Sequence, residues 1–495
     1  MELKKILVGV DGIKFKGNVD VDVPNITMDS REIKEGDMFI AIKGAQVDGH
    51  KYIAQAIENG AKVILAEEGE LKNYANDIKD GVTLITVPET RPVMAICACN
   101  FFDHPSRKFK LIGITGTKGK TTTTYMIKKV LEKQGFKVGL VGTVAIYIGD
   151  KKLKDSDRTT PGSIELQRIF NQMAEEKCDV VVMEVSSQGL KLNRVDGCDF
   201  DIGLFTNFSE DHISEHEHPD MQDYFNSKLK LFDMCKVGFV NGDNPETRKV
   251  PSLKPDCDIK MYGIDNECDF LARDITITNS YVDFRVRLDG KGERIKTFIP
   301  GRFSVYNSLA AICVALKLGC KVENIKAALE EVRVPGRSEL VDNKLGLTIM
   351  IDYAHSPESL QNILQATKAY TRGRVISVFG CGGDRDSAKR PKMGAISGKI
   401  ADYTIITSDN PRTEDPAKIV DQIEEGIKTT KGKYEKIVDR TEAIKKAMLM
   451  AERNDIIVLA GKGHETYQEI NHEKHDYDER VIIKKLEDEI RKEQH

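Results

Sequence analysis

The stretch KLIGITGTKGKTTTT, residues 110–124, decides how this chain is read. The apolar, partly β-branched run KLIGIT reads as a buried strand. A glycine-bearing turn follows, and TTTTYMIKKVLEKQG then carries a helical pattern to Gly135. Strand, glycine turn and helix in that order form a phosphate cradle. Gly116 and Gly119 let backbone N–H groups approach phosphate oxygens, and the helix amino terminus adds its dipole. Lys120 is spaced to reach the β- and γ-phosphates, and the Thr121 hydroxyl to meet Mg²⁺. The pattern still departs from G-x-x-x-x-G-K-[ST], because Ile114 stands where the first glycine belongs.

Working outward, 495 residues imply about three domains. An apolar fraction of 40% supplies well-filled cores, and 31% charged residues is ordinary for a soluble chain. A net charge of −4 gives no basic footprint for nucleic acid and no polybasic membrane surface. The start, MELKKILVGVDG, lacks the apolar core of a signal peptide, and no segment has the roughly 18 apolar residues of a membrane helix. Ten scattered cysteines contain no C-x-x-C pair; the closest, Cys97 and Cys99, are spaced C-x-C. They read as reduced, mostly buried thiols of a cytoplasmic protein.

Three regions are expected: 1–88, 89–335 and 336–495. In the first, DMFIAIKG, KVILAEE and GVTLITV read as strands around the helix HKYIAQAIENGA, with Pro88 and Pro92 at its end. After the helix RPVMAICACNFF, the second alternates strands (KLIGIT, KVGLVGT, DVVVMEVS, DIGLFTNF) with helices, the pattern of a mainly parallel sheet covered on both faces. Pro335-Gly336 marks the second linker. LTIMIDYAH, RVISVFGCGG, YTIITSDN and DIIVLAGKGHE then each run into a polar loop, glycine-bearing in the second and fourth, at the edge where open parallel sheets bind ligands. The fold class expected is therefore α/β: a small first domain, a central phosphate-loop domain and a Rossmann-like last domain. The tail IIKKLEDEIRKEQH reads as a solvated helix.

Two further features carry chemistry. DVVVMEVSSQG ends an apolar strand in Glu184, a carboxylate at the phosphate-loop edge that suits a hard cation, although a solvated edge residue is an equal reading. FTNFSEDHISEHEH sets Asn207, Asp211 and His212 after the next strand. Its histidines lack thiol partners and regular spacing, so structural zinc is not expected.

GTKGKTT, EVSS, TNFSEDH, YFNSKLKLF, DYAHSP, FGCGGDRDSAKRPKMG and SDNPR…GKGHE occur in one order along the chain. The set resembles the muramyl-peptide ligases of cell-wall synthesis over essentially all 495 residues, and most resembles the branch that adds the third peptide residue. That family's loop, G-T-x-G-K-[ST], lacks the earlier glycine and usually has Asn at Lys118. The resemblance implies that ATP phosphorylates a D-glutamyl carboxylate, and that an amine then attacks the acyl phosphate. It implies ATP contacts from Gly116, Thr117, Lys118, Gly119, Lys120, Thr121 and Thr122, with Asn307, Arg337, His355 and Lys392 as weaker transfers. Thr121 and Glu184 would serve one Mg²⁺; His212 and Lys228, carried as a CO₂-derived carbamate, a second. Otherwise Lys228 would pass as a surface lysine.

The same resemblance implies UDP-N-acetylmuramoyl-L-alanyl-D-glutamate as substrate, met by Ser30, Arg31, Thr159, Thr160, Ser186 and Arg194. Gln188 and Leu192 depart from residues found in relatives. Arg385, Asp409, Asn410, Arg412, Gly461 and Glu465 would grip the added amino acid. An arginine fork suits a carboxylate, and Asp409 and Glu465 suit an ammonium. Arg412 favours meso-diaminopimelate over L-lysine, because an unpaired buried arginine is costly. A monomer that closes its last domain for chemistry is expected. The rivals are a folylpolyglutamate synthase-like ligase, which would not need the DSR…DGH region, and a regulator that senses the nucleotides without joining anything.

Overall fold

The computed structural model describes residues 1–44, 47–71 (Leu71 as backbone only), 78, 80–211, 213–214, 217–288 and 290–493; His212 therefore lies outside the described residues. Contacts divide the chain into two units, Met1–Asp269 with Ala310–Cys320, and Phe270–Leu309 with Lys321–His495.

The first unit holds two sheets. The amino-terminal one runs Lys14–Lys16, Thr83–Val87, Val63–Glu67, Met38–Ile40, Ile26–Thr27. Only its Lys14–Lys16 edge is antiparallel. Its faces are closed by Ile53–Glu58 and by Thr90–Phe101. Pro92 sits in the first turn of the latter helix, where its missing N–H costs nothing.

The larger sheet follows from the apolar runs read in the sequence. Asp258–Gly263, Cys235–Asn241, Phe200–Phe205, Lys110–Thr115, Val180–Glu184 and Val138–Val141 lie side by side and parallel. An antiparallel hairpin, Ala145–Ile148 and Lys151–Asp155, extends one edge. Lys110–Thr115 is central, so the chain leaves it in one direction and later returns to its other side. Ligands collect at the carboxyl edge of such a switch point. The register fixes what meets there: Glu184 pairs with Ile114, and Phe205 with Thr115.

In the second unit, Phe270–Ile277, Val282–Leu288 and Lys291–Thr297 form an antiparallel meander. The carboxy-terminal sheet runs Glu339–Leu340, Thr348–Asp352, Ile456–Ala460, Val375–Phe379, Tyr403–Ile406, Tyr434–Lys436, parallel except at its first edge. Phe379 is in register with both Ala460 and Ile406. The loops after those three strands therefore leave the sheet together. Beneath them Arg440, fully buried, pairs with buried Glu479 and donates to the carbonyls of Ser408 (3.1 Å) and Ala460 (3.0 Å).

The carboxy-terminal helix corrects the expectation of a solvated one. Glu479–Glu493 buries Ile483, Leu486 and Ile490 in the core of this sheet. The spacing i, i+3, i+7 is an apolar stripe, which the surrounding charges hide in a composition count.

Helices Lys389–Ile400 and Pro416–Ile427 cover one face of that sheet through reciprocal glycines. A Cβ on Gly394 would stand 2.1 Å from the Ile423 carbonyl oxygen, and one on Gly426 1.7 Å from that of Pro391. Backbone cannot yield as a side chain can. Gly426→Ala should therefore destabilise the protein by about 1–3 kcal/mol, the cost of overpacking, read as a lowered denaturant midpoint with an unchanged slope.

Candidate active site

The phosphate loop forms as its sequence demands. Gly116 has φ +142° and Gly119 φ +84°, and Lys120–Gln134 is the helix that follows. A Cβ at Gly116 would stand 2.0 Å from Thr206 Oγ1, so only glycine fits. The neighbouring strand end braces the loop. Thr117 N–H donates to the Asn207 carbonyl and Lys118 N–H to Asn207 Oδ1, both at 2.9 Å. Thr206 Oγ1 and Asn207 Nδ2 donate back to the Lys118 carbonyl at 2.6 and 3.0 Å. The Lys118 side chain pairs with Asp211 at 2.9 Å.

Glu184 is no solvated edge residue: it is 1% exposed. Oε2 accepts from the hydroxyls of Thr121 and Thr143, each at 3.0 Å, and Oε1 from the Thr143 N–H at 2.9 Å. A buried carboxylate held by hydroxyls and an amide, with no ion pair to it among the described residues, is a hard-oxygen donor set suited to a divalent cation. Thr143 was missed in the sequence reading; it lies in the Gly142-Thr143 turn after a strand and has no motif of its own.

Lys228 is 1% exposed, which removes the surface-lysine reading. Its Nζ donates to the Gly116 carbonyl at 2.9 Å and lies 4.5 Å from the Tyr224 ring centre. Lys120 Nζ donates to that same carbonyl oxygen at 2.8 Å and to the Thr117 carbonyl at 3.1 Å. Burial, and then the Lys120 charge, hold the Lys228 amine well below its ordinary value, with Asp211 opposing them.

Beside Glu184 runs the expected substrate-contact group. Thr160 Oγ1 donates to the Glu184 carbonyl (3.0 Å) and accepts from the Ser186 N–H (2.9 Å), while Thr159 Oγ1 lies 3.0 Å from Thr143 Oγ1. Arg194 donates to the Thr160 carbonyl at 2.9 Å. Burial first, then Arg158 and Arg91, lower its guanidinium to about 10. Neither arginine was given a role in the sequence, although Arg158 opens the RTTPGS stretch that holds Thr159 and Thr160. Within the histidine tract, His218 is fully buried between Asp223 (2.6 Å) and Ser187 (2.9 Å), a brace rather than a metal ligand. Ser30 bonds to Gln55 and exposed Arg31 to Asp29, partners local to the amino-terminal sheet.

In the second unit Asp409, Asn410, Arg412, Gly461 and Glu465 do gather at the sheet's carboxyl edge. Asn410 Nδ2 donates to Glu465 Oε2 at 2.8 Å. Lys462, fully buried and unforeseen, donates to Asn410 Oδ1 (3.0 Å) and Glu465 (3.3 Å). Burial raises the Glu465 carboxyl, and Lys462 opposes that shift. Gly461 gives room to Asp409, whose Oδ2 would lie 2.3 Å from a Cβ there. Arg385 is exposed nearby. Arg412 is not the unpaired arginine of the sequence argument, because Glu469 pairs with it at 2.9 Å. Asn307 is buried on Phe303–Lys317, the Arg337 guanidinium stacks 4.8 Å from the Tyr353 ring centre, and His355 Nδ1 lies 2.8 Å from the Tyr353 carbonyl. These three belong to the second unit.

Three Mur ligase family models match consecutive parts of the chain: the catalytic domain over residues 22–102, the middle domain over 114–315 and the glutamate ligase domain over 336–463. A relative from Caldanaerobacter subterraneus subsp. tengcongensis is 46% identical over 98% of this chain and 99% of its own. The chain belongs to the Mur ligase family. That relative is named UDP-N-acetylmuramoyl-L-alanyl-D-glutamate--2,6-diaminopimelate ligase. A Clostridium botulinum protein of the same name is 45% identical over 99% of this chain and 100% of its own. A solved structure bearing that name matches with TM-score 0.72 at 27% identity, covering 99% of each chain. The folylpolyglutamate synthase of Mycobacterium tuberculosis shares the fold at 18% identity and TM-score 0.60, over 75% of this Mur ligase and 91% of its own chain.

The Lys228 environment gives a stability signature. Its amine is neutral in the folded protein at a pH where the unfolded chain still protonates it. Stability therefore rises with pH between the lowered folded value and about 10.5. In CO₂-free buffer the advantage of Lys228→Met over wild type should shrink as pH rises toward 10, by up to about 1.4 kcal/mol per pH unit. Urea unfolding across that range reads it; parallel curves would remove the neutral amine.

Proposed function

We propose that this Mur ligase is an ATP-dependent amide ligase that joins meso-2,6-diaminopimelate to UDP-N-acetylmuramoyl-L-alanyl-D-glutamate, acting as a cytoplasmic monomer with domain limits 1–88, 89–335 and 336–495. The observation that carries it is the buried Lys228 amine sharing one carbonyl oxygen with the phosphate-loop Lys120, in the same unit as Glu184 with its Thr121 and Thr143 bonds. The full-length relatives named for this reaction support the substrates.

A carboxylate does not acylate amines at neutral pH, because it lacks a leaving group. The loop N–H groups and Lys120 hold the ATP phosphates while the D-glutamyl carboxylate oxygen takes the γ-phosphoryl group and ADP departs. The diaminopimelate amine then attacks the acyl carbon, loses a proton, and the tetrahedral adduct expels phosphate. Thr121 and Glu184 would hold one Mg²⁺, and His212 with carbamylated Lys228 the other. When bound, the metal offsets the negative charge that converges on the transferred phosphoryl group. Carbamate formation needs an unprotonated amine to attack CO₂, which the lowered Lys228 supplies.

Thr159, Thr160, Ser186 and Arg194 are the proposed contacts of the muramyl-peptide, and Ser30 and Arg31 those of the uridine part. Asn307, Arg337 and His355 are proposed toward ATP. Asp409, Asn410, Gly461 and Glu465, with Arg385 and Arg412, are proposed to bind the amino acid.

Purified protein with the UDP-muramyl dipeptide, ATP and Mg²⁺ should release phosphate when diaminopimelate is added, and far less with lysine. Failure of both amino acids to stimulate release would remove the ligase reading, and a preference for lysine the diaminopimelate assignment. Lys228→Ala should lose about 100-fold or more of kcat, the scale of losing one preorganised group at the transferred charge. Short carboxylates should restore part of it; full activity without them discards the carbamate.

A further inference from the structure

Arg412 is held more firmly than a substrate fork requires. Its backbone is left-handed, φ +50°, and is locked on both sides. Its N–H donates to the Glu469 carbonyl at 3.0 Å, and its own carbonyl accepts from the Asn471 N–H at 2.8 Å. The guanidinium donates through Nε to Glu469 Oε2 at 2.9 Å and through Nη1 to the Gly383 carbonyl at 2.7 Å. Glu469 is fixed in turn, since its N–H donates to Asn410 Oδ1 at 3.0 Å. Both side chains of the ion pair are only 20% exposed.

We propose that Glu469 is an internal counter-carboxylate that sets how strongly Arg412 holds an amino acid bearing a distal carboxylate. The inference rests on the amino-acid site of the ligase reading. A carboxylate takes an arginine either along Nε and Nη2 or along Nη1 and Nη2. On the first edge it meets Glu469, and on the second it shares Nη1 with Gly383. In both cases it joins a guanidinium whose charge is already balanced, so Coulomb attraction is reduced and one carboxylate repels the other. A ligand ending in an ammonium alone does not use the fork and escapes this penalty. Glu469 thus weakens diaminopimelate selectively, narrowing its margin over lysine while keeping Arg412 in position.

Glu469→Gln keeps an oxygen to accept from Nε and removes only the charge. Calorimetric titration of the full chain with diaminopimelate, and separately with lysine, reads the effect. The variant should bind diaminopimelate about three- to fivefold more tightly, the scale of one partly exposed ion pair, with lysine no tighter. In an Arg412→Gln background the same substitution should do nothing, because the double-mutant cycle isolates the pair. Unchanged or weaker diaminopimelate binding, equal tightening of both ligands, persistence of the gain without Arg412, or a wild type that binds neither amino acid would each overturn the proposal. Absence of phosphate release by a wild type that does bind diaminopimelate counts against the ligase reading alone.

Discussion

Two lysine amines donate to one backbone oxygen, that of Gly116, and most of the candidate site is arranged around that sharing. Two ammonium groups on a single carbonyl repel each other, and burial makes the repulsion expensive. Lys228 is the more deeply buried of the two, and burial, then the Lys120 charge, lowers its amine well below the ordinary lysine value. As a carbamate Lys228 would carry negative charge, turning its relation to Lys120 from repulsion to attraction. The arrangement therefore favours either a neutral amine or an acidic derivative over a second cation.

That geometry depends on the glycine between the two lysines. With φ +142° and no room for a Cβ beside Thr206, Gly116 turns its carbonyl toward both amines. Thr206 and Asn207 hold the next turn of the loop from the adjacent strand, and the parallel register brings Glu184 level with Ile114 from the other side. Loop, carboxylate and brace thus come from three neighbouring strands rather than one segment. Ile114, which looked like a defect in the motif, is a fully buried strand residue in that register. A glycine there would give up packing in the sheet centre.

Much of this was legible in the chain. Continuous β-branched runs ending in glycine-bearing loops specified parallel strands, since a strand buried on both faces needs apolar residues throughout. The meander Phe270–Thr297 escaped notice because its half-exposed strands alternate charged and apolar residues, as in VDFRVRL, and mark no ligand loop. The last helix was misread for the same reason, its stripe being diluted by charge. At the site, motif residues were readable because their spacing is local. Thr143, Arg91 and Glu469 were not, because each acts through a partner that only the fold brings near; Arg158 and Lys462 lie within the stretches RTTPGS and GKGHE but were given no role there.

Lys462 and Arg440 show what composition conceals in the second unit. Each is a fully buried cation, and a lone buried cation is prohibitively costly. Arg440 is offset by Glu479 and two strand-end carbonyls, and so ties together the bases of the loops after Ile406 and Ala460. Lys462 is offset by Asn410 and Glu465, which lie on those same loops one layer further out. Removing Glu479 would strand the arginine, whereas removing Glu465 would strand the lysine and unlock the Asn410 amide as well. The second is the more consequential loss for binding. Asn410 also anchors Glu469, and through it Arg412, so one amide couples the ammonium-facing and carboxylate-facing halves of the proposed pocket.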